Sequence, residues 1–200
     1  MRTVLLSALI ALIALPALAT ERLVMAPYPG PPAWSQVTNQ ANAQQWLHEQ
    51  IPLDQRIDGY RDILTSQGFI GLHRDPSDYL RSLFSLAAGA CEAVRTNGPK
   101  AQTEGGYPVA YAQLYCSRQK GQPFGVVIFY KAIQGAEGLY VVDRDFRVPP
   151  SRTTGVMEFP PGQEAQAAAL MRAQASADRY LVGSVYVCGA RATDPRCKGR

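Results

Sequence analysis

Between residues 76 and 96, apolar side chains recur every three or four positions: Tyr79, Leu80, Leu83, Phe84, Ala87, Ala90, Cys91 and Val94. That period places them on one stripe of an α-helix. Asp75 supplies an N-cap, and Pro76 suits the first helical position, where a missing N–H costs nothing. Asn97-Gly98-Pro99 stops the helix. A second helix is predicted from Gln163 to Tyr180 or further, after Pro160-Pro161-Gly162. Its alanine-rich composition favours helix, and Leu170, Ala173, Ala177, Tyr180 and Leu181 form its stripe. Residues 181–188 fit either an extension of this helix or a strand.

Between the helices the pattern becomes that of strands. Tyr107–Ser117, Phe124–Ile133 and Leu139–Val148 are rich in β-formers. Lys120–Pro123 and Gln134–Gly138 read as turns between them, and Pro149-Pro150 ends the last. With Ile133 opposite Leu139, one face of the hairpin carries Val126, Ile128, Tyr130, Ala132, Tyr140, Val142 and Phe146. The other carries Val127, Phe129, Ile133, Leu139 and Val141 with Lys131, Asp143 and Asp145. Both faces are apolar near the turn, so both need cover. The expected class is α+β: an antiparallel sheet with a central three-strand meander and a helix on each face.

Upstream the pattern is weaker. Val37–Asn39 and Gln45–Ile51 read as short strands, and Tyr60–Gln67 as a short helix from the spacing of Tyr60, Ile63 and Leu64. Residues 20–33 hold Pro27, Pro29, Pro31 and Pro32 and read as an extended, partly mobile leader. Residues 34–200 then form one domain. Ahead of them, Met1-Arg2, the apolar run Val4–Leu15, Pro16 and the small residues Ala17 and Ala19 follow the pattern of a cleavable signal peptide cut after Ala19. A membrane anchor would need a longer apolar run. The expected location is the periplasm.

Export changes the reading of the four cysteines, Cys91, Cys116, Cys188 and Cys197. An even number in an oxidising compartment implies disulfides. Of the three possible pairings the sequential one, Cys91–Cys116 with Cys188–Cys197, is favoured because each bridge closes a turn-rich segment. There is no close cysteine pair and no histidine pair, His48 and His73 being the two histidines, so no metal and no cofactor is expected. The formal net charge of +4 is mild. Much of it lies in the tail (Arg191, Arg196, Lys198 and Arg200), which reads as a solvated end and not as a specific nucleic-acid surface.

Candidate chemistry is sparse. No Gly-x-Ser-x-Gly elbow and no phosphate-cradling glycine loop occurs. Asp143 and Asp145 share a strand face about 6.5 Å apart by strand rise, a spacing that could serve acid–base hydrolysis. The competing reading is a solvated strand end balanced by Arg144 and Arg147. Tyrosines, ten in the chain, cluster near the meander, where they pack and keep polar tips for recognition. Lys131, Tyr140, Asp143, Arg144, Asp145 and Arg147 form a possible binding surface, on which Lys131→Ala and Arg144→Ala would leave the fold nearly unchanged. Trp34 and Trp46 read as core anchors more readily than as ligand platforms.

Gly121–Gly125, Lys131–Gly135, Leu139–Arg147, Trp34–Gln67 and Tyr186–Cys188 resemble segments of a group of small, uncharacterised exported proteobacterial proteins. That resemblance brings no activity with it. The order of elements also resembles the PsbP-like α/β/α sandwich, named for an extrinsic subunit of photosystem II, and implies a non-enzymatic assembly, binding or inhibitor module. The expected function is a non-catalytic periplasmic module that binds an envelope protein or another periplasmic component. The alternatives are an envelope hydrolase using Asp143 and Asp145, and an immunity or inhibitor protein against an envelope-targeting toxin.

Overall fold

The computed structural model of the chain describes residues 21–29, 33–152 and 158–198. The segment read as a signal peptide, with its cleavage site, lies outside the described residues. Seven strands form one antiparallel sheet in the order β2-β3-β4-β8-β7-β6-β5: β2 Trp34–Ala41, β3 Gln45–Pro52, β4 Asp62–Ile70, β5 Val94–Glu104, β6 Tyr107–Cys116, β7 Gly125–Gln134 and β8 Gly138–Val148. A separate antiparallel pair joins β1 (Arg22–Met25) to β9 (Val185–Cys188). Helix α1 spans Pro76–Ala90 and α2 spans Glu164–Ser184. The class is α+β, with the sheet wider than the sequence suggested. Two runs of sequential strands, β2–β4 and β5–β8, meet where β4 pairs with β8.

The Asp75 carboxylate caps α1, accepting from the backbone N–H of Ser77 at 2.9 Å and of Asp78 at 3.1 Å. The helix ends at Ala90, six residues before the predicted end at residue 96. Cys91 is extended and disulfide-bonded to Cys116, Lys120 Nζ binds the Gly89 carbonyl at 3.0 Å, and Val94 already belongs to β5. A second disulfide joins Cys188 to Cys197. Residues 181–188 divide: helix to Ser184, then strand.

Three expectations fail for identifiable reasons. Residues 62–70 form β4, not a helix. Ile63 and Leu64 are both buried, one on each face, and a central strand buried on both sides loses its alternation. The hairpin register is displaced by one residue, Ile133 facing Tyr140. Gly138 is part of β8, paired with Ile70, and a Cβ there would lie 2.4 Å from the Phe69 carbonyl oxygen. A one-residue slip moves every side chain of β8 to the other face. The described part of the proline-rich leader is not free: residues 22–25 pair with β9, and Tyr28 packs against Trp34 and Tyr180.

Alternate residues of β7 and β8 enter two different core clusters. Val127, Phe129, Ile133, Tyr140, Val142 and Phe146 pack with Ala177, Tyr180 and Leu181 of α2. Val126, Tyr130, Ala132, Leu139 and Val141 pack with Leu80 of α1. Successive side chains of a strand point to opposite faces, so the clusters occupy opposite faces of the central strands. Among the described residues no helix is long and apolar enough to cross a membrane.

Candidate functional site

Strand β3 alternates Trp46, His48 and Gln50 on one face with Leu47, Glu49 and Ile51 on the other. The first set faces Gly68 and Ser66 on β4, with Trp46 paired to Gly68 and His48 to Ser66. Tyr140 of β8 pairs with Gly68 from the opposite side. A Cβ built on Gly68 would lie 2.2 Å from the Trp46 indole nitrogen. The indole therefore crosses directly over Gly68, where any side chain would collide with it.

The facing wall comes from the segment after β1. The Tyr28 hydroxyl donates to Ser176 Oγ at 2.9 Å, and the Tyr180 hydroxyl donates to the Ala26 carbonyl at 2.7 Å. The Tyr28 ring sits 4.7 Å from that of Tyr180 and 5.1 Å from that of Trp34. Between this wall and the sheet is a cleft of about 890 Å³, lined also by Leu23 and Met25. This volume lies within the range of small-molecule sites.

Arg144 braces the cleft from behind. Its guanidinium carbon is 3.8 Å from the Tyr28 ring centre, 4.7 Å from that of Trp34 and 5.0 Å from that of Phe146. The guanidinium forks onto Asp62, with Nε 2.8 Å from Oδ1 and Nη2 on Oδ2. Burial, and then the nearby Asp145 carboxyl, raise the cost of charging Asp62; the fork offsets that cost. Glu21 is occupied too, accepting from the backbone N–H of Ala136 at 2.6 Å and of Glu137 at 3.0 Å. Burial and the Glu21 carboxylate push the Tyr140 phenol up, so it stays a donor.

The six residues expected to share a surface do not. Lys131 and Arg144 are 0% and 3% exposed, and Tyr140 lies at the cleft floor. These three share the face of the α2 cluster. Asp143, Asp145 and Arg147 project from the other face, away from the cleft, which follows from strand alternation. There, Arg147 lies over the Tyr60 ring at 3.8 Å and the Phe124 ring at 4.4 Å. Asp143 is hydrogen-bonded to Thr65, yet burial, Asp145 and Glu49 raise it well above the usual carboxylate range. Burial pushes Asp145 up to about 7, with Arg147 pulling it back, and its Oδ1 is buried without a partner. In the tail, Arg196 forks onto Asp194 and lies 3.9 Å over the Tyr186 ring, while Arg191 and Lys198 are exposed and Arg200 lies outside the described residues.

Sequence reasoning missed His48, Gln50 and Ser66. The Trp46-x-His48-x-Gln50 alternation on a strand was the available signal. Ser66 and His48 are directly opposed across β3 and β4, but no hydrogen bond joins them and no acidic side chain orients the imidazole among the described residues. A nucleophile–base couple needs both contacts. No family model matches the chain, and no curated protein matches it.

Proposed function

We propose that the chain is a non-catalytic binding module acting in the periplasm, and that its site is the aromatic cleft between β1 and the β3–β4 face of the sheet. The observation that carries this reading is the cleft itself: about 890 Å³, walled by Tyr28, Trp34, Trp46, Tyr140 and Tyr180. Concave aromatic sites with a few placed polar groups are the usual form of a small-ligand site. Two disulfides suit an oxidising compartment. The likeness to the PsbP-like sandwich points the same way, as an analogy of fold.

The hydrolase reading draws support from one observation, the raised carboxyls of Asp143 and Asp145. Weighing against it, neither lines the cleft. The chain has two tryptophans, and both line the cleft, so intrinsic emission reports on the site. Titration with a chemically mixed fragment set, with NMR mapping of the bound fragments, is the test. Fragments should collect in the cleft and change the emission. Fragments that gather elsewhere and leave it unchanged would overturn the reading.

A further inference from the structure

The cleft is selective by what its floor leaves unpaired. The side chains of His48, Gln50 and Ser66 and the indole N–H of Trp46 make no hydrogen bond within the described chain, and all four sit on neighbouring positions of β3 and β4. A purely apolar ligand would cover them without partners, at a desolvation cost for each. The ligand must therefore offer donors and acceptors along one side.

It need not carry charge. Of the cleft's charged side chains, Glu21 and Arg22 have opposite signs, and Arg144 behind it is paired with Asp62, so the lining holds no net charge that would select an anion or a cation. Nor are the rings arranged to sandwich a planar heteroaromatic. The ring pairs in the cleft meet at 45° (Tyr28 and Trp34), 46° (Tyr28 and Tyr180), 35° (Trp46 and His48) and 39° (Trp46 and Tyr140), none of them parallel. What the floor offers is the Trp46 indole over Gly68, edged by the hydrogen-bonding side chains of His48, Gln50 and Ser66.

A pyranose ring has that complement: a C–H face to lie on an aromatic ring, and equatorial hydroxyls that both donate and accept. We propose that the cleft takes a neutral oligosaccharide, with one pyranose ring stacked on the Trp46 indole and its hydroxyls bonded by His48, Gln50 and Ser66. The volume leaves room for more than one sugar ring. This inference rests on the cleft being the binding site and names its ligand class.

The test is calorimetric and fluorescence titration of the protein with maltotetraose, cellotetraose and chitotetraose, with adenosine and 1-octanol as planar and apolar comparators. At least one tetraose should bind saturably and change the tryptophan emission. Gln50→Leu should weaken it about tenfold, the loss of one hydrogen bond, with an unchanged thermal midpoint. Trp46→Ala should abolish it and Trp46→Phe should keep most of it; should Trp46→Ala fail to fold, the Gln50→Leu and Trp46→Phe pair decides. Tetraose binding indifferent to those substitutions overturns the placement. Adenosine or octanol binding at Trp46 with no tetraose binding overturns the sugar inference and leaves the cleft reading standing. If none of the five compounds binds, the sugar inference falls; if the mixed fragment set is also silent, the cleft reading falls with it.

Discussion

The Nζ of Lys131 on β7 lies 2.7 Å from the carbonyl oxygen of Val185, the residue at which α2 gives way to β9. Its other two protons reach Leu181 O at 3.0 Å and Glu104 Oε2 at 2.7 Å. An ammonium has three donors, and here each has an acceptor. The lysine caps a helix end from the neighbouring sheet, supplying partners for carbonyls that the last turn leaves open.

Lys131→Met should therefore destabilise the fold by about 3 kcal/mol, the scale for removing one member of a buried ion pair and orphaning its acceptors. Urea unfolding measures it. A loss below about 1 kcal/mol would mean that the helix end finds other partners.

Arg144→Ala leaves Asp62 buried and unpaired and removes the cation that lies against both Tyr28 and Trp34. A comparable loss of about 3 kcal/mol is expected, with a red shift of tryptophan emission as the wall around Trp34 loosens. Adding Asp62→Ala should recover part of the stability, because the orphaned carboxylate goes too. Additive losses would show that the fork contributes nothing. Lysine should not substitute, since it lacks the planar fork.

Burial raises Asp145 to about 7, and an unfolded aspartate titrates near 3.9. The folded state thus holds the proton more tightly. The stabilisation from that proton is fully present below about pH 4 and is lost as the pH rises through about 7, with a slope of at most about 1.4 kcal/mol per pH unit. Thermal midpoints should climb from pH 8 to pH 5. Asp145→Asn should reduce that climb, leaving the part due to Asp143 and Asp62, which burial also raises. An unchanged profile in the variant would remove Asp145 as its source.

Cys91 and Cys116 both sit in the cluster that holds Leu80, and their bridge spans 25 residues against 9 for Cys188–Cys197. Loop closure alone gives about 3.5 against about 2.6 kcal/mol. Replacing Cys91 and Cys116 by serine buries two hydroxyls in that cluster as well. That double variant should lose clearly more stability than the Cys188→Ser, Cys197→Ser pair. Equal losses in equilibrium unfolding would remove the packing contribution.

Elements with a local signature were legible in the sequence: α1 from Asp75-Pro76 and its stripe, and β6, β7 and β8 from their β-rich runs. Elements fixed by distant partners were not. Strand β5 is a polar edge, with most of its residues exposed, and carries no apolar alternation to find. β4 is buried on both faces and mixes polar with apolar residues, so it shows no clean alternation. The register of β8 depends on Gly138 pairing with Ile70, which sequence alone assigns to a turn. The cleft was hidden for the same reason. Its two tryptophans, Trp34 and Trp46, read as core anchors, and its far wall is a proline-flanked tyrosine held by α2 from 148 residues away.

Pairing of β1 with β9 sets Arg22 against Cys188, so the strand that leads into the wall carrying Tyr28 is anchored at the far end of the described chain. Neither strand pairs with the seven-stranded sheet, so the sheet's own strands can pair without them, whereas the wall needs both. Contacts this distant in sequence form slowly. A variant lacking β9 should therefore retain much of its sheet while having no site.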